Sequence, residues 1–488
     1  MKLQETSPRL TSYEDRTLYS TWQLSFDRVK EQNGLSAKLL RLWAYFDNQD
    51  LWLELLRHGD SEDPEWIREL TNDDLSFHNA VRVLSDHGLA EIDTSSLELI
   101  ESRGYSIHGC VHSWTIHVLN QQWDYDLARM AVNFVGSHIP GDGAIQQWLT
   151  QRRLLQHAAR CSYIVLNDLV RDNSMEWIYN DLGNLYRDQG KLAEAEQMYQ
   201  RALQGTEKAL GAEHMSTLST VNNLGILYRD QGKLAEAEQM YQRALQGIEK
   251  ALGAEHTSTL DTVNNLGILY QSQGKLADAE QMYQRALQGK EKALGAEHTS
   301  TLDTVNNLGA LYQDQGKLAE AEQMYQRALQ GREKALGAEH MSTLSTVNNL
   351  GTLYQNQGKL AEAEQMYQRA LQGYEKALGA ENATTFIPAF KTISNLGSLF
   401  ERQSDLVKAR IMYSKALVGY EKVFGPDHPK SQRLRDRLQA LDAVTDNEAL
   451  PDVEEPVNDY QGETSRLGAE RASLKSKRHK LLKKPGFR

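Results

Sequence analysis

A mainly α-helical chain with a solenoid in its second half is what the sequence predicts, and three observations carry that prediction. Leu-Gly pairs recur at Leu182-Gly183, Leu224-Gly225, Leu266-Gly267, Leu308-Gly309 and Leu350-Gly351, each 42 residues after the last. A period of that length is the mark of stacked two-helix repeats. None of the nine prolines falls between 141 and 387, so helices there run unbroken; a proline in a helix interior costs about 3 kcal/mol. Aromatic residues make up only 8% of the chain, which suits an array of small repeated cores better than one large core.

Each unit divides by ordinary punctuation. In the unit beginning at Leu218, helix A is expected from about Leu218 to Gln231, with Leu218, Val221, Leu224 and Tyr228 at helical spacing. Gly232 supplies a left-handed stop, and helix B follows with Leu234, Ala237, Tyr241, Ala244 and Leu245 as its buried stripe. Gly253 ends helix B, and a linker from Ala254 to Thr259 leads to the next unit. Small residues at Gly225 and Ala237 let the two helices approach closely. One hairpin cannot bury its apolar faces alone, so the units must stack. A sixth Leu-Gly pair, Leu396-Gly397, comes after 46 residues, which places a four-residue insertion around Phe386-Ile387-Pro388.

These residues resemble tetratricopeptide repeats over about 175–443, in the 42-residue form of kinesin light chains. The last unit, ending Phe424-Gly425-Pro426-Asp427-His428-Pro429, is nearest that form. A heptad coiled coil is disfavoured by the glycine break in every unit.

Residues 1–172 show no echo of the repeat and hold Trp22, Trp43 and Trp52 among irregularly spaced apolar residues. Phe77, Val81 and Leu84 suggest a helix, Gly88 a turn, and Leu89 to Ile92 a strand. Tyr105 to Val111 reads as the return strand, with a helix from about Trp114. Helices followed by a two-stranded hairpin outline a winged helix. The stretches TWQLSFDRVK, AKLLRLWAYFDNQDLWLELL, AVRVLSDHGLAEI and YSIHGCVHSW resemble the winged-helix region of fungal NOD-like receptors. In that family an NB-ARC or NACHT nucleotide-binding domain comes first, the winged helix next and tetratricopeptide repeats last. The expected order is therefore a winged-helix-like domain over 1–114, a helical connector with Trp148 and Arg152-Arg153 over 115–172, and a solenoid of about six repeats over 173–443. An acidic-then-basic tail over 444–488 has the composition of disordered chain. Its run from Lys475 to Lys484 would suit nuclear import or an acidic partner, or simply a solvated tail.

Composition excludes several function classes. A formal charge of −12 disfavours nucleic acid or an anionic membrane as the main partner. The helix around Phe77–Asp86 carries one arginine, Arg82, too little charge for reading DNA. Two cysteines, Cys110 and Cys161, make no disulfide framework. No apolar run of the length of a bilayer span or a signal peptide is seen, so a soluble cytoplasmic protein is expected. No GxxxxGK[ST], GxSxG, HExxH or paired CxxC occurs, and neither catalysis nor a cofactor is expected. His108-x-Cys110-x-His112 invites a zinc reading, but alternate residues of one strand without a fourth ligand make a poor tetrahedral site. The NOD-like resemblance gives His112 another role. The family's Met-His-Asp motif sets its histidine against an ADP phosphate, and Val111-His112-Ser113 stands here with serine for the aspartate. That role requires a nucleotide-binding switch domain absent from this chain.

Differences among near-identical units point to a binding face. In helix A the varying columns are Ser219/Asp261/Asp303/Ser345, Ile226/Ile268/Ala310/Thr352, Arg229/Gln271/Gln313/Gln355 and Asp230/Ser272/Asp314/Asn356. At about 100° per residue they share roughly a third of the helix circumference, away from the core stripe. An unchanging column, Asn180, Asn222, Asn264, Asn306 and Asn348, sits inside that arc. An asparagine amide can pair with peptide backbone whatever the peptide's side chains. A second column, Asn223, Asn265, Asn307, Asn349 and Asn395, flanks it as support. A further varying column, Thr206/Ile248/Lys290/Arg332/Tyr374, lies late in helix B at the groove border. The expected function is a protein- or peptide-binding scaffold, the ligand-sensing part of a NOD-like receptor; the alternative is a kinesin-light-chain-like adaptor without a nucleotide switch.

Overall fold

The computed structural model describes residues 13–57, 63–93, 103–139, 145–171 and 175–448. No helix among them is long and apolar enough to cross a membrane.

The first part is built from α1 (Tyr13–Gln32), α2 (Gly34–Trp43), α3 (Glu65–Thr71) and α4 (Asp74–Asp86). The Asn33 side chain accepts the Leu35 and Ser36 amides to start α2, and Asp73 accepts the Ser76 amide to start α4. Phe77, Val81 and Leu84 are buried as their spacing predicts. Gly88, at φ +70°, turns the chain into β1 (Glu91–Ile92), which pairs antiparallel with β2 (Tyr105–Ser106). The return strand is shorter than expected. The Tyr105 amide and carbonyl are both taken by Leu51, and the Ile107 amide by Asn48. His108 then accepts the Cys110 amide through Nδ1 and starts α5 (Gly109–Trp114). His108, Cys110 and His112 therefore occupy a helix start rather than alternate positions of a strand.

A π-helical turn at Thr115–Leu119 leads to α6 (Tyr125–Ser137) and α7 (Ile145–Leu166). Beyond them stand the hairpins α8 (Glu176–Asp188) with α9 (Leu192–Leu210), α10 (Met215–Asp230) with α11 (Leu234–Leu252), and α12 (Thr257–Ser272) with α13 (Leu276–Leu294). Next come α14 (Thr299–Asp314) with α15 (Leu318–Leu336) and α16 (Met341–Gln357) with α17 (Leu360–Leu378). The insertion forms one extra turn, α18 (Ala380–Ala383), before the sixth hairpin, α19 (Ile387–Arg402) with α20 (Leu406–Phe424). A last helix, α21 (Pro429–Glu448), runs past the boundary expected at 443; the rest of the predicted tail lies outside the described residues.

Helix A starts one turn earlier than its apolar pattern suggests, because the linker caps it. His256 Nδ1 accepts the Ser258 amide, and Thr259 Oγ1 donates to the Gly253 carbonyl at 2.7 Å. Gly232 (φ +78°) and Gly253 (φ +92°) take the left-handed conformations that end helices A and B. Within a hairpin the glycines face the partner's large side chains. A Cβ at Gly225 would stand 2.7 Å from the Tyr241 ring, and one at Gly247 would stand 2.6 Å from Leu218.

The core runs without a break from the N-terminal helices into the first repeats. Ala131, Val132 and Val135 of α6 belong to the same buried cluster as Ile178, Tyr179 and Leu182 of α8. Helix α7 works as a strut whose first half makes contacts on two sides. Arg153, buried, grips the Asp50 carboxylate with two bonds of 2.7 Å and lies 3.9 Å from the Trp52 ring centre. On the other side Trp148 packs edge-on against Phe386, and Arg152 donates to Asn382 Oδ1 at 2.6 Å. The insertion in the repeat array is thus the surface on which the strut lands. Replacing Trp148 by alanine should cost about 3 kcal/mol or more at this contact. Amide exchange measured by mass spectrometry should rise in 145–152 and 378–390 while α10–α15 stay protected; unchanged exchange there would show the strut to be idle.

Candidate functional site

A cavity of about 1050 Å³ opens on the helix-A side of the first three hairpins. Its wall includes Asn180, Asn222, Ser219 and Asp261 from the predicted face, together with Thr206 and Ile248 from the ends of α9 and α11. Ser219, Asp261, Asp303 and Ser345 are all exposed.

The two asparagine columns interlock. Asn223 Nδ2 donates to Asn180 Oδ1 (3.1 Å), Asn265 to Asn222 (3.3 Å), Asn307 to Asn264 (3.2 Å), Asn349 to Asn306 (3.3 Å) and Asn395 to Asn348 (3.2 Å). Each bond crosses from one repeat to the one before. Thr346 and Thr392 hydroxyls add a second donor to Asn306 and Asn348. The first column therefore spends its oxygen on the stack and keeps its Nδ2 hydrogens for another acceptor. Asn264 is the deepest of the five, at 8% exposure.

Two other columns serve the contacts between repeats more than the open face. Ile226 and Ile268 pack in the clusters that join one hairpin to the next. Gln271 accepts from the Tyr283 hydroxyl at 3.0 Å and donates to Asp314 of the following repeat. Gln355, buried, accepts from the Tyr367 hydroxyl and donates to Ser398, while Thr352 accepts from Tyr367 as well. Arg229 pairs with its neighbour Asp230, and Gln313 Oε1 is buried. The structure gathers Ser219, Asp261, Asn180 and Asn222 at the cavity and sets Gln355 inside the stack.

The column late in helix B, expected at the groove border, lies beneath the exposed helix-A column, and its first two members, Thr206 and Ile248, reach the cavity wall. Thr206, Ile248, Lys290, Arg332 and Tyr374 are all buried, Lys290 to 2% exposure. Lys290 Nζ meets the Asp261 carboxylate at 2.7 Å, and Arg332 bonds Asp303. Where helix A has serine, at 219 and 345, helix B has the uncharged Ile248 and Tyr374. The two varying columns therefore change together: acid faces base, and serine faces a neutral group. That pairing at a constant separation of 29 residues was present in the sequence as a signal.

His112 sits away from this face. Its Nε2 bonds the Phe46 carbonyl at 3.1 Å, and burial with the Arg160 charge nearby pushes its pKa down to about 4. At neutral pH it is an uncharged, internally bonded group.

Residues 174–292 and 299–376, and separately 391–430, match the tetratricopeptide repeat family. The solenoid is thus a tetratricopeptide-repeat array, a fold that serves as a protein-binding scaffold. Among solved structures, the chain is similar to a putative kinesin light chain from Podospora anserina with nearly identical repeats, at 26% identity over 41% of this chain and 94% of that one, with a TM-score of 0.33. It is similar to BtubC from P. vanneervenii at 20% identity over 57% of this chain and 98% of that one (TM-score 0.35). A signal-transduction ATPase with a tetratricopeptide repeat sensor from Pyrococcus horikoshii is 14% identical over 86% of this chain and 61% of its own (TM-score 0.41). No curated protein sequence matches.

The paired columns predict an asymmetric mutational pattern. Asp261→Ser alone strands a buried ammonium and should cost about 1–3 kcal/mol, a range lowered because Asp261 itself is half in solvent. Adding Lys290→Ile recreates the Ser219–Ile248 pair and should restore most of the loss. Melting of the two variants checks this, and additive losses would count against coupling.

Proposed function

We propose that this chain is a non-enzymatic scaffold that holds an extended peptide along the helix-A face of its repeats. Five asparagine amides, at 180, 222, 264, 306 and 348, present hydrogen-bond donors at a regular repeat spacing, and the Ser219/Asp261/Asp303/Ser345 column supplies specificity. The observation that carries this reading is the ladder: each oxygen is anchored by the next repeat, so each amide group is held in one orientation before any ligand arrives. Donors fixed in advance lose little freedom on binding.

The wider reading is that of the ligand-sensing portion of a fungal NOD-like receptor, with a winged-helix-like domain over 1–114 and a connector over 115–172. The unbroken core from α6 into α8 supports it, because a shift of the first repeat would be felt directly by the N-terminal helices. The engagement of His112 by Phe46 favours the alternative, a kinesin-light-chain-like cargo or assembly adaptor without a nucleotide switch. The mass of the endogenous product separates the two. A protein well above 55.3 kDa with an upstream phosphate-binding loop is the receptor outcome, and a product of 55.3 kDa is the adaptor outcome.

The groove itself is tested by Asn264→Asp with Asn306→Asp. Aspartate keeps the oxygens that Asn307 and Asn349 need but removes the free Nδ2 donors; alanine would also break the stack. A mapped peptide ligand should bind roughly tenfold or more weakly to the double variant, measured below its melting point, which the part-buried carboxylates will lower while the array stays folded. Equal affinity in the double variant would remove the ladder from recognition.

A further inference from the structure

The ladder has an end, and it ends in a charge. At the position where later repeats carry Asn223, Asn265, Asn307, Asn349 and Asn395, the first repeat carries Asp181. In the later repeats this side chain donates to the repeat before; the first hairpin has no repeat before it, and a carboxylate has nothing to donate. Its one side-chain partner among the described residues is Asn184, at 3.4 Å. Asp181 is partly buried, and burial, with no cation beside it among the described residues, pushes its pKa up to about 6. An ionised group half out of water without a counter-charge is unfavourable unless something else supplies that charge.

The surroundings match a cation. Asp181 and Glu176 line the cavity with Asp261, and among the described residues no lysine or arginine is in its wall. Asp261 is already balanced by Lys290, so the unbalanced charge belongs to Asp181 and Glu176. Trp177 lies one turn before Asp181, on the same side of α8, and is 49% exposed. It occupies the specificity column that is serine or aspartate in the next four repeats. An exposed indole face attracts ammonium and guanidinium groups, and Leu210, also half exposed in the same wall, offers apolar surface for an alkyl stem.

We propose that the first-repeat end of the groove is a seat for a lysine or arginine side chain of the bound peptide, held between the Trp177 ring and the carboxylates of Asp181 and Glu176. This rests on the peptide-groove reading and assigns the peptide a cationic anchor at that end.

A phage library of random dodecapeptides panned on the full chain provides the probe, followed by fluorescence polarisation of one synthesised winner. Asp181→Asn is the sharp variant, because the other repeats fold with asparagine there. Winners should carry lysine or arginine beside an apolar residue. Affinity should fall tenfold or more on Asp181→Asn and clearly on Trp177→Ala. Replacing the peptide's lysine by norleucine should cost as much, with no further loss when both changes are combined. A winner that tolerates Asp181→Asn but is weakened by Asn264→Asp with Asn306→Asp overturns the cation seat and leaves the groove standing. Winners indifferent to both variants, or a library that yields none, overturn both.

Discussion

In each hairpin an aromatic ring occupies the space that a side chain at the helix-A glycine would need. Tyr241 lies against Gly225, Tyr283 against Gly267, Tyr325 against Gly309 and Tyr367 against Gly351, each within 3 Å of where a Cβ would stand. Leu218 and its counterparts fill the space over a glycine of helix B in the same way. The two helices are locked at short range by this exchange of large for small. Everything on the other side of helix A inherits that register: the asparagines meet across repeats because the hairpins share this packing.

The tyrosine rings have a second consequence. Their hydroxyls end near the C-terminal part of helix A, where Gln271 and Gln355 accept them. Positions that look free to vary on a helical projection are thus drawn into the stack. The face left for a ligand is narrower than the arc of variation, and it centres on the asparagine column and on Ser219, Asp261, Asp303 and Ser345.

Legibility in the sequence followed the range of the interaction. The repeat, the glycine stops and the core stripe depend on neighbours a few residues away or one period away, and these read out directly. The early start of helix A was hidden in the His256 and Thr259 caps, which are polar and lie outside the apolar pattern. Short strands and α5 were decided by Leu51 and Asn48, some fifty residues distant from their partners. The strut was legible only in part: Trp148 and Arg152-Arg153 stood out, and so did the insertion at Phe386, but nothing in the order of residues connects positions over two hundred apart. The Asp261–Lys290 and Asp303–Arg332 pairs are the instructive case. Each column alone looked like surface variation, and only their joint pattern distinguishes a buried pair from drift.

That joint pattern also bears on how the groove acquires charge. A buried lysine costs heavily unless its partner is present, whereas an exposed aspartate costs little alone. The acid must therefore arise first or together with the base, and once both are in place neither is easily lost singly. The visible member of the pair is the aspartate on the groove; the hidden member is the base that keeps it there. At the first repeat the same column holds Trp177 over Thr206, a neutral pair, and the acid appears instead at Asp181, where no base lies behind it. Charge at Asp261 and Asp303 is compensated from within the fold, and charge at Asp181 is left for whatever lies in the groove.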